Sequence, residues 1–260
     1  MKITTMKTKH TRYFAAAALI GTLAFTTNAR AAKPATSGQQ NADQILRQMS
    51  DTLAGARQFT FKAHRTMDPA LVPAGVLSDV RIEAAIQRPN RLVAHSKGRH
   101  DSRQFVFDGR SFTLLDEKNN FYATVPMRTT IDGLVEAADE IYGFTLPVAE
   151  FVLSNPYKDL RQQAHTISYL GHEKLGGFLG LGGTECHRLA LTGKLADAEL
   201  WVGVADHLPR KMVATFKNHP DKPQLKVEFS SWNLAAATPA EGFSFVPPKG
   251  AMKIEMQKKR

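Results

Sequence analysis

Two short segments of the sequence come close to known catalytic or nucleotide-binding motifs, and neither completes one. His172-Glu173 begins like the zinc-binding motif H-E-x-x-H, but the second histidine is missing and the glycines that follow argue against a helix. The run GGFLGLGGT at 176–184 lacks the P-loop lysine and the third glycine of a dinucleotide fingerprint, where Glu185 stands. No G-x-S-x-G nucleophile motif occurs. We therefore expect a protein that is not an enzyme and that needs no cofactor.

The single cysteine, Cys186, stands beside His187, and a hairpin could bring both near His172. These three side chains would offer thiolate and imidazole ligands to a metal ion, although their spacing matches no common site. The alternative is a buried, inert thiol at the start of a strand-like segment. We favour the buried thiol and predict no metal site.

The glycine-rich run is also unusual because apolar side chains interrupt it. Phe178, Leu179 and Leu181 stand in what must be a loop between strands, where apolar residues are uncommon unless they contact something. Either the tip folds back onto the protein, or it forms a mobile flap that contacts lipid or a partner.

The first thirty-one residues have the parts of a secretory signal peptide. Basic residues precede a short apolar stretch at 13–25, and Ala29-Arg30-Ala31 presents the small residues that signal peptidase recognises. Cleavage after Ala31 is expected, with a retained N-terminal anchor as the alternative. No cysteine stands directly after the expected cleavage site, so we expect the chain not to be lipidated there. These features predict a periplasmic protein that is exported and not lipidated.

The charge distribution bears on the partners. The formal net charge is +10, with 34 Lys and Arg against 24 Asp and Glu, but several of these cations lie in the signal segment. The remaining charges are dispersed, apart from a basic C-terminal tail at 257–260. We expect no nucleic-acid binding and at most a transient contact with an anionic membrane surface.

Alternating apolar and polar residues predict about ten short strands. The strongest signal is RQFVFDGRSFTLL at 103–115, in which Asp108-Gly109 favours a type I′ hairpin turn. This turn would pair Phe107 with Arg110 and Phe105 with Phe112. It would also place Phe105, Phe107, Phe112 and Leu114 on one face of the sheet.

Three helices are predicted among the strands. Helical spacing of apolar residues follows Asn41 and ends at Gly55. A second helix, 130–142, follows a capping box of Thr129 and Asp132. A third, short helix opens at Pro147, continues through Phe151 and Val152, and is stopped by Asn155-Pro156.

These elements predict one mainly β domain of the α+β type. A strongly curved antiparallel sheet would bury one apolar face, and the helices must cover its concave side. We place a disordered leader at 32–40, a single domain at 41–256 and the basic tail at 257–260.

Several motifs together resemble the domain-of-unknown-function family 2092, a family of predicted periplasmic proteins of Gram-negative bacteria. The resemblance spans the mature chain and departs from the family pattern only at 173–184. It implies kinship with the lipoprotein carriers LolA and LolB and with the regulator RseB, and hence an unclosed β-barrel whose hydrophobic cavity holds acyl chains. The motifs are RPNRL (88–92), FVFDG (105–109), NFYATVP (120–126), CHRLA (186–190), LPRKMV (208–213), WNL (232–234) and FSFVPPKGA (243–251).

The resemblance and the strand pattern together predict a carrier or sensor for an acyl chain, a lipid or a lipoprotein. The ligand would lie between the sheet and a helical lid, and each of the lining residues could equally be ordinary core. The candidates on the sheet are Phe59, Phe61, Ile82, Ile86, Phe105, Phe107, Phe112 and Leu114. The candidates on the lid are Ile131, Leu134, Val135, Ile141 and Phe151.

Two other functions remain open. The first is an RseB-like regulator of envelope signalling, in which the apolar flap and a sheet edge bind a protein partner in the envelope. The second is an exported hydrolase whose site the sequence spacing does not reveal.

Overall fold

The computed structural model describes residues 37–72, 78–144, 146, 148–177, 182–236 and 240–259. Twelve strands form a single sheet in the order β12-β6-β5-β4-β3-β2-β1-β11-β10-β9-β8-β7. All neighbours pair antiparallel except β12, which runs parallel to β6. The strands are β1 Gln58–Met67, β2 Asp79–Gln87, β3 Arg91–Lys97, β4 Ser102–Phe107, β5 Ser111–Asp116, β6 Phe121–Pro126, β7 Ala164–Leu175, β8 Thr184–Gly193, β9 Ala196–Gly203, β10 Pro209–Phe216, β11 Gln224–Asn233 and β12 Met252–Lys253.

The sheet is strongly curved and does not close into a barrel, since β12 and β7 lie at its two ends. One face buries an apolar residue at every second position, for example in the pattern of β2. Three α-helices lie against this concave face: α1 Ser37–Gly55, α2 Ile131–Glu140 and α3 Pro156–Gln163. A 3₁₀ turn at Ala149–Phe151 lies between α2 and α3. The predicted architecture, a curved and unclosed sheet with helices on its concave side, is confirmed.

The helix α1 packs mainly against β7 and α3 through Ile45, Leu46, Met49 and Leu53, all of which are buried. It begins at Ser37, inside the segment that we predicted to be a disordered leader, so Asn41 does not cap it. Within the described residues, no helix combines the length and the apolar character needed to cross a membrane.

The helices after β6 differ from their predicted bounds. Thr130, rather than Thr129, caps α2, because its Oγ1 accepts a hydrogen bond from the Gly133 amide at 3.3 Å. Asn155 starts a helix instead of stopping one: its side chain accepts a bond from the Lys158 amide at 2.9 Å, and Pro156 opens α3. The Asn-Pro pair is as good a helix start as a helix stop, and the sequence pattern does not distinguish the two.

The β4–β5 hairpin has the predicted face and a different register. Phe107 pairs with Phe112 and Phe105 with Leu114, so the turn is centred on Gly109-Arg110. The Asp108 side chain accepts bonds from the Arg110 and Ser111 amides at 2.8 and 2.7 Å, which explains why Asp108 precedes the turn instead of forming its centre. Because paired residues share a face, the four predicted side chains still lie together.

Gly109 is required in this turn, because its φ is +85° and a Cβ there would lie 2.5 Å from the side-chain nitrogen Nδ2 of Asn90. We expect Gly109→Ala to lower the free energy of unfolding by about 1–2 kcal/mol. Gly55→Ala is the matched control, since a Cβ added there would meet nothing within 4 Å and the residue ends a helix. Chemical denaturation of both variants tests this; equal losses would contradict the assigned turn.

The C-terminal segment crosses the convex face and then joins the sheet edge. Phe243 is buried, and Phe245 contacts the Tyr122 ring at 5.2 Å between centroids. The chain then adds β12 to β6, and the Lys259 amide donates to the carbonyl of Ile141 at 2.7 Å. The backbone of the basic tail is therefore attached to the end of α2.

Candidate functional site

An aromatic cluster occupies the concave face at the centre of the sheet, where β1 and β11 pair. Phe61 lies between Trp232 and Phe229, with ring centroids at 4.7 and 5.9 Å. Ser231, at φ +54°, makes a bulge opposite β1, so Trp232 turns to the concave side although Phe229 already faces it. The bulge brings the two side chains of β11 onto the same face as Phe61.

The lid consists of α2 and the segment 148–152 that follows it. Ile131 and Leu134 of α2 are buried, and Phe151 packs edge-on against Phe229 at 4.7 Å. Lid and sheet therefore share one apolar core.

Most of the predicted lining residues meet in this core. Val135 and Leu114 are half-buried against it. Ile141 does not take part: it follows the end of α2 and is 43% exposed. The predicted residues that are buried in the shared core are Phe59, Phe61, Ile82, Ile86, Phe105, Phe107, Phe112, Ile131, Leu134 and Phe151.

Arg88 joins the lid to the sheet and to α1. It follows β2, and its guanidinium donates to the carbonyls of Val152 and Leu153, both at 2.9 Å, and to that of Leu53 at 3.4 Å. The guanidinium carbon lies 5.5 Å from the centroid of the Phe59 ring. Burial lowers the pKa of Arg88. The Arg88 side chain thus supplies hydrogen-bond donors to backbone carbonyls of both the lid and α1.

A second set of polar contacts holds the start of α2. The Ile131 amide donates to the Pro89 carbonyl at 2.8 Å. Asp132 accepts from the Ser154 amide at 2.8 Å and from the Ser154 hydroxyl. Polar contacts therefore hold both ends of α2, since the Lys259 amide binds the carbonyl of Ile141 at its far end, and apolar contacts hold the lid along its length.

The conformation of the site is closed. Phe59, Phe107 and Phe112 are 0% exposed, so solvent does not reach these rings. A ligand on this face must displace the lid. Val148, at the start of the segment 148–152, has φ +52°, an unfavourable conformation for a β-branched residue.

A charged group lies beside the lid, on the same concave face. Arg65 of β1 continues the inward-facing series of Phe59, Phe61 and Ala63, and Glu150 of the lid interacts with it electrostatically. Burial raises the pKa of Glu150 to about 7 against the opposing effect of Arg65. Burial likewise lowers the pKa of Arg65, and nearby Arg103 lowers it further.

The proposed metal-ligating residues do not converge. His172 and His187 are paired across β7 and β8, with ring centroids at 4.7 Å, and the Tyr169 hydroxyl lies 3.2 and 3.3 Å from their Nδ1 atoms. Cys186, next to His187 in the strand, faces the opposite side and is fully buried, and burial raises its pKa to about 11. Within the described part of the chain, no group of three His, Cys, Asp or Glu residues can hold a metal ion.

The flap residues Phe178, Leu179 and Leu181 lie outside the described residues, so their contacts remain a prediction. The hairpin that carries them is formed by β7 and β8, and Gly183 at φ +86° follows them.

The sequence matches the model of the family described as predicted periplasmic protein, DUF2092, over residues 42–257. The chain belongs to this family. The match includes all three helices except the start of α1, and the whole of the sheet. A comparison with curated proteins found no match.

Among solved structures, the DUF2092 protein is similar to LprF from Mycobacterium bovis, with 14% identity, a TM-score of 0.44, and 83% of this chain and 99% of LprF covered. It is similar to the LolA superfamily protein NE2245 from Nitrosomonas europaea, with 12% identity, a TM-score of 0.36, and 78% and 97% covered. The MucA/MucB complex of Pseudomonas aeruginosa gives 14% identity and a TM-score of 0.45, with 79% of this chain and 61% of that chain covered.

Sequence reasoning missed Arg88, Arg65 and Glu150. Arg88 lies within RPNRL, where it follows a strand and precedes Pro89, and its position directly after an apolar strand was the available signal. Arg65 interrupts the alternation of β1 at a position that should be apolar. Charged residues at inward positions were the signal for both arginines.

Proposed function

We propose that this DUF2092 protein is a non-enzymatic periplasmic carrier or sensor that binds an acyl chain, as part of a lipid or a lipoprotein, between the concave face and the lid. One observation carries the proposal: an aromatic apolar face is covered by a segment that packs on it mainly through apolar side chains, with polar contacts at Arg88, at Asp132 and at the carbonyl of Ile141. Such an element can leave as a unit when an apolar ligand competes for the same face.

The energetics favour a closable groove. A carried acyl chain gains about 0.8 kcal/mol for each CH₂ removed from water, so a long chain can offset the loss of lid–sheet contact. The exported, non-lipidated state that we infer from the signal segment is consistent with transport or sensing in the periplasm.

Native mass spectrometry of protein purified from a periplasm tests the function. Co-purified lipid supports the carrier. A stable protein partner without lipid would support an RseB-like regulator, and turnover of ester substrates by the purified chain would support a hydrolase; each of these results would overturn the proposal.

A substitution on the concave face should reduce binding without unfolding the protein. Leu114 is half-buried on this face, so Leu114→Gln is expected to lower the affinity for a fluorescent fatty acid by about tenfold, because it places a polar amide against the acyl chain. Val213→Gln is the matched control, since Val213 is also half-buried but pairs with Lys226 on the convex face. Equal affinities of the two variants, measured by fluorescence titration, would place the ligand elsewhere.

A further inference from the structure

Large apolar side chains are exposed where the C-terminal strand completes the sheet. Phe121 is 37% exposed, Met252 61% and Ile254 48%. We name these three residues the C-terminal rim. Val246, in the segment leading to it, is 79% exposed. Single exposed apolar residues are ordinary, but adjoining ones indicate an interaction surface.

The backbone of the C-terminal rim is held by hydrogen bonds to β6. Met252 pairs with Phe121 in the parallel β6–β12 ladder, and the amides of Met252 and Ile254 donate to the carbonyls of Asn120 and Tyr122 at 2.9 and 2.8 Å. Because side chains alternate along an extended chain, Met252 of β12 and Ile254, which follows β12, project from the same side. The backbone of the rim is therefore fixed while its side chains stay in solvent.

The rim borders the lid. Phe121 has the same inward parity in β6 as Ala123, which is buried and pairs with Leu114 of the concave face. Beyond Ile254, Met256 packs against the main core, and the Lys259 amide binds the carbonyl of Ile141 at the end of α2. Ile141 is itself 43% exposed. The exposed apolar surface thus continues along the margin between α2 and the sheet edge.

The C-terminal segment that carries Met252 and Ile254 is cationic, although Asp116 pairs with Phe121 in the β5–β6 ladder and Asp139 and Glu140 directly precede Ile141. Lys249, Lys253, Lys258 and Lys259 are exposed, and Glu255 is the one acidic residue between positions 246 and 260. Within the described residues, none of these four lysines takes part in an ion pair. Their charges are thus available to an external anionic surface.

We propose that the C-terminal rim docks on an anionic lipid bilayer. Apolar side chains that enter the interface, with lysines in the same segment that attract anionic headgroups, form the pattern of a peripheral membrane contact. A protein partner fits less well, because protein interfaces are depleted in lysine. Docking in this orientation turns the margin of the lid towards the membrane. The proposal goes beyond acyl-chain binding and does not depend on it.

Vesicle co-sedimentation of the full mature chain tests the proposal. We expect binding to phosphatidylcholine vesicles that contain phosphatidylglycerol, weaker binding to pure phosphatidylcholine vesicles, and a loss of binding as salt is added. The double variant Met252→Ser, Ile254→Ser should bind the anionic vesicles about tenfold more weakly. Leu170→Ser is the matched control and should bind as the wild type does, since Leu170 is 49% exposed on β7 at the opposite edge.

A second variant tests whether the lysine charges contribute to vesicle binding without a change in the stability of the fold. Lys253→Gln, Lys258→Gln, Lys259→Gln should lose the preference for anionic vesicles while its thermal unfolding stays unchanged, because these side chains make no ion pair within the described residues. The proposal would be overturned if the wild-type protein did not bind anionic vesicles. It would also be overturned if the double variant Met252→Ser, Ile254→Ser bound them as tightly as Leu170→Ser. Uptake of a soluble fatty acid by the same variants reports on the carrier function separately, and we expect it to be unchanged.

Discussion

Replacing Arg88 with methionine is expected to open the lid more often and to lower the free energy of unfolding by about 2–4 kcal/mol, because three carbonyls lose a charged donor. Methionine is unbranched and close to arginine in volume, so the change removes the charge and the hydrogen bonds, together with the guanidinium over the Phe59 ring, with little loss of volume. The carbonyls of Val152 and Leu153 then lose their charged donor, and water can replace it more readily when the lid separates from the sheet.

The functional consequence follows from the population of open states. Each 1.4 kcal/mol by which the substitution weakens the contact between lid and sheet raises the fraction of molecules with an open lid about tenfold. Fatty-acid uptake by Arg88→Met should therefore be at least tenfold faster. Stopped-flow fluorescence measures the uptake, and hydrogen exchange of the α2 amides measures opening directly. Arg91→Met is the matched control, since Arg91 lies in the same segment and donates to the Gln87 side chain at 3.2 Å instead of to the lid. Lower stability with unchanged exchange in α2 would make Arg88 an ordinary structural contact.

The sheet was predictable because its signals are local. Period-2 alternation placed Phe59 and Phe61, or Ile82 and Ile86, on one face without reference to the rest of the chain, and the structure buries all four. The predicted register of the β4–β5 hairpin was wrong, but the predicted face was right. When the turn moves by one residue, the same four side chains still lie on one face: Phe105, Phe107, Phe112 and Leu114.

The features that the sequence did not predict depend on distant parts of the chain. Arg88 binds carbonyls more than sixty residues away, and nothing local distinguishes its guanidinium from that of a surface arginine. The orientation of Trp232 depends on a bulge against β1, which shifts the parity of β11. Ile141 continued the apolar stripe of α2, but the helix ends at Glu140 and leaves that side chain in solvent.

The lid should also loosen as the pH rises, because Glu150 carries a proton in the folded protein that the unfolded chain releases. Burial raises its pKa from 4.5 to about 7, with Asp159 adding to the rise and Arg65 opposing it. Between these two values the folded state binds more protons, so stability falls as the pH increases and is level above the folded pKa. Asp159 acts in the same direction over a lower range, since burial raises its pKa from 3.8 to about 6.

The variant Glu150→Gln distinguishes the contribution of Glu150 to the pH dependence of stability from that of Asp159. The amide keeps the size of the side chain and cannot ionise, so the variant should lose the fall in stability between about pH 6 and 7 and keep the lower part that Asp159 causes. At about pH 8 it should be more stable than the wild type by about 2–3 kcal/mol, a figure reduced from the full pKa shift because Glu150 is only half-buried.

Chemical denaturation across this pH range measures the effect, and Glu136→Gln is the matched control because Glu136 is exposed on α2.

Ionisation of Glu150 should also affect the opening of the lid. When Glu150 ionises it must reach water, and the segment 148–152 that carries it contains the strained Val148 and the carbonyl of Val152 that Arg88 holds. Hydrogen exchange in 148–152, corrected for the intrinsic effect of pH, should therefore accelerate above about pH 7 in the wild type and in Glu136→Gln, but not in Glu150→Gln. A wild-type stability that rises between about pH 5 and 7, with identical profiles for the two variants, would show that Glu150 is already solvated when the lid is closed.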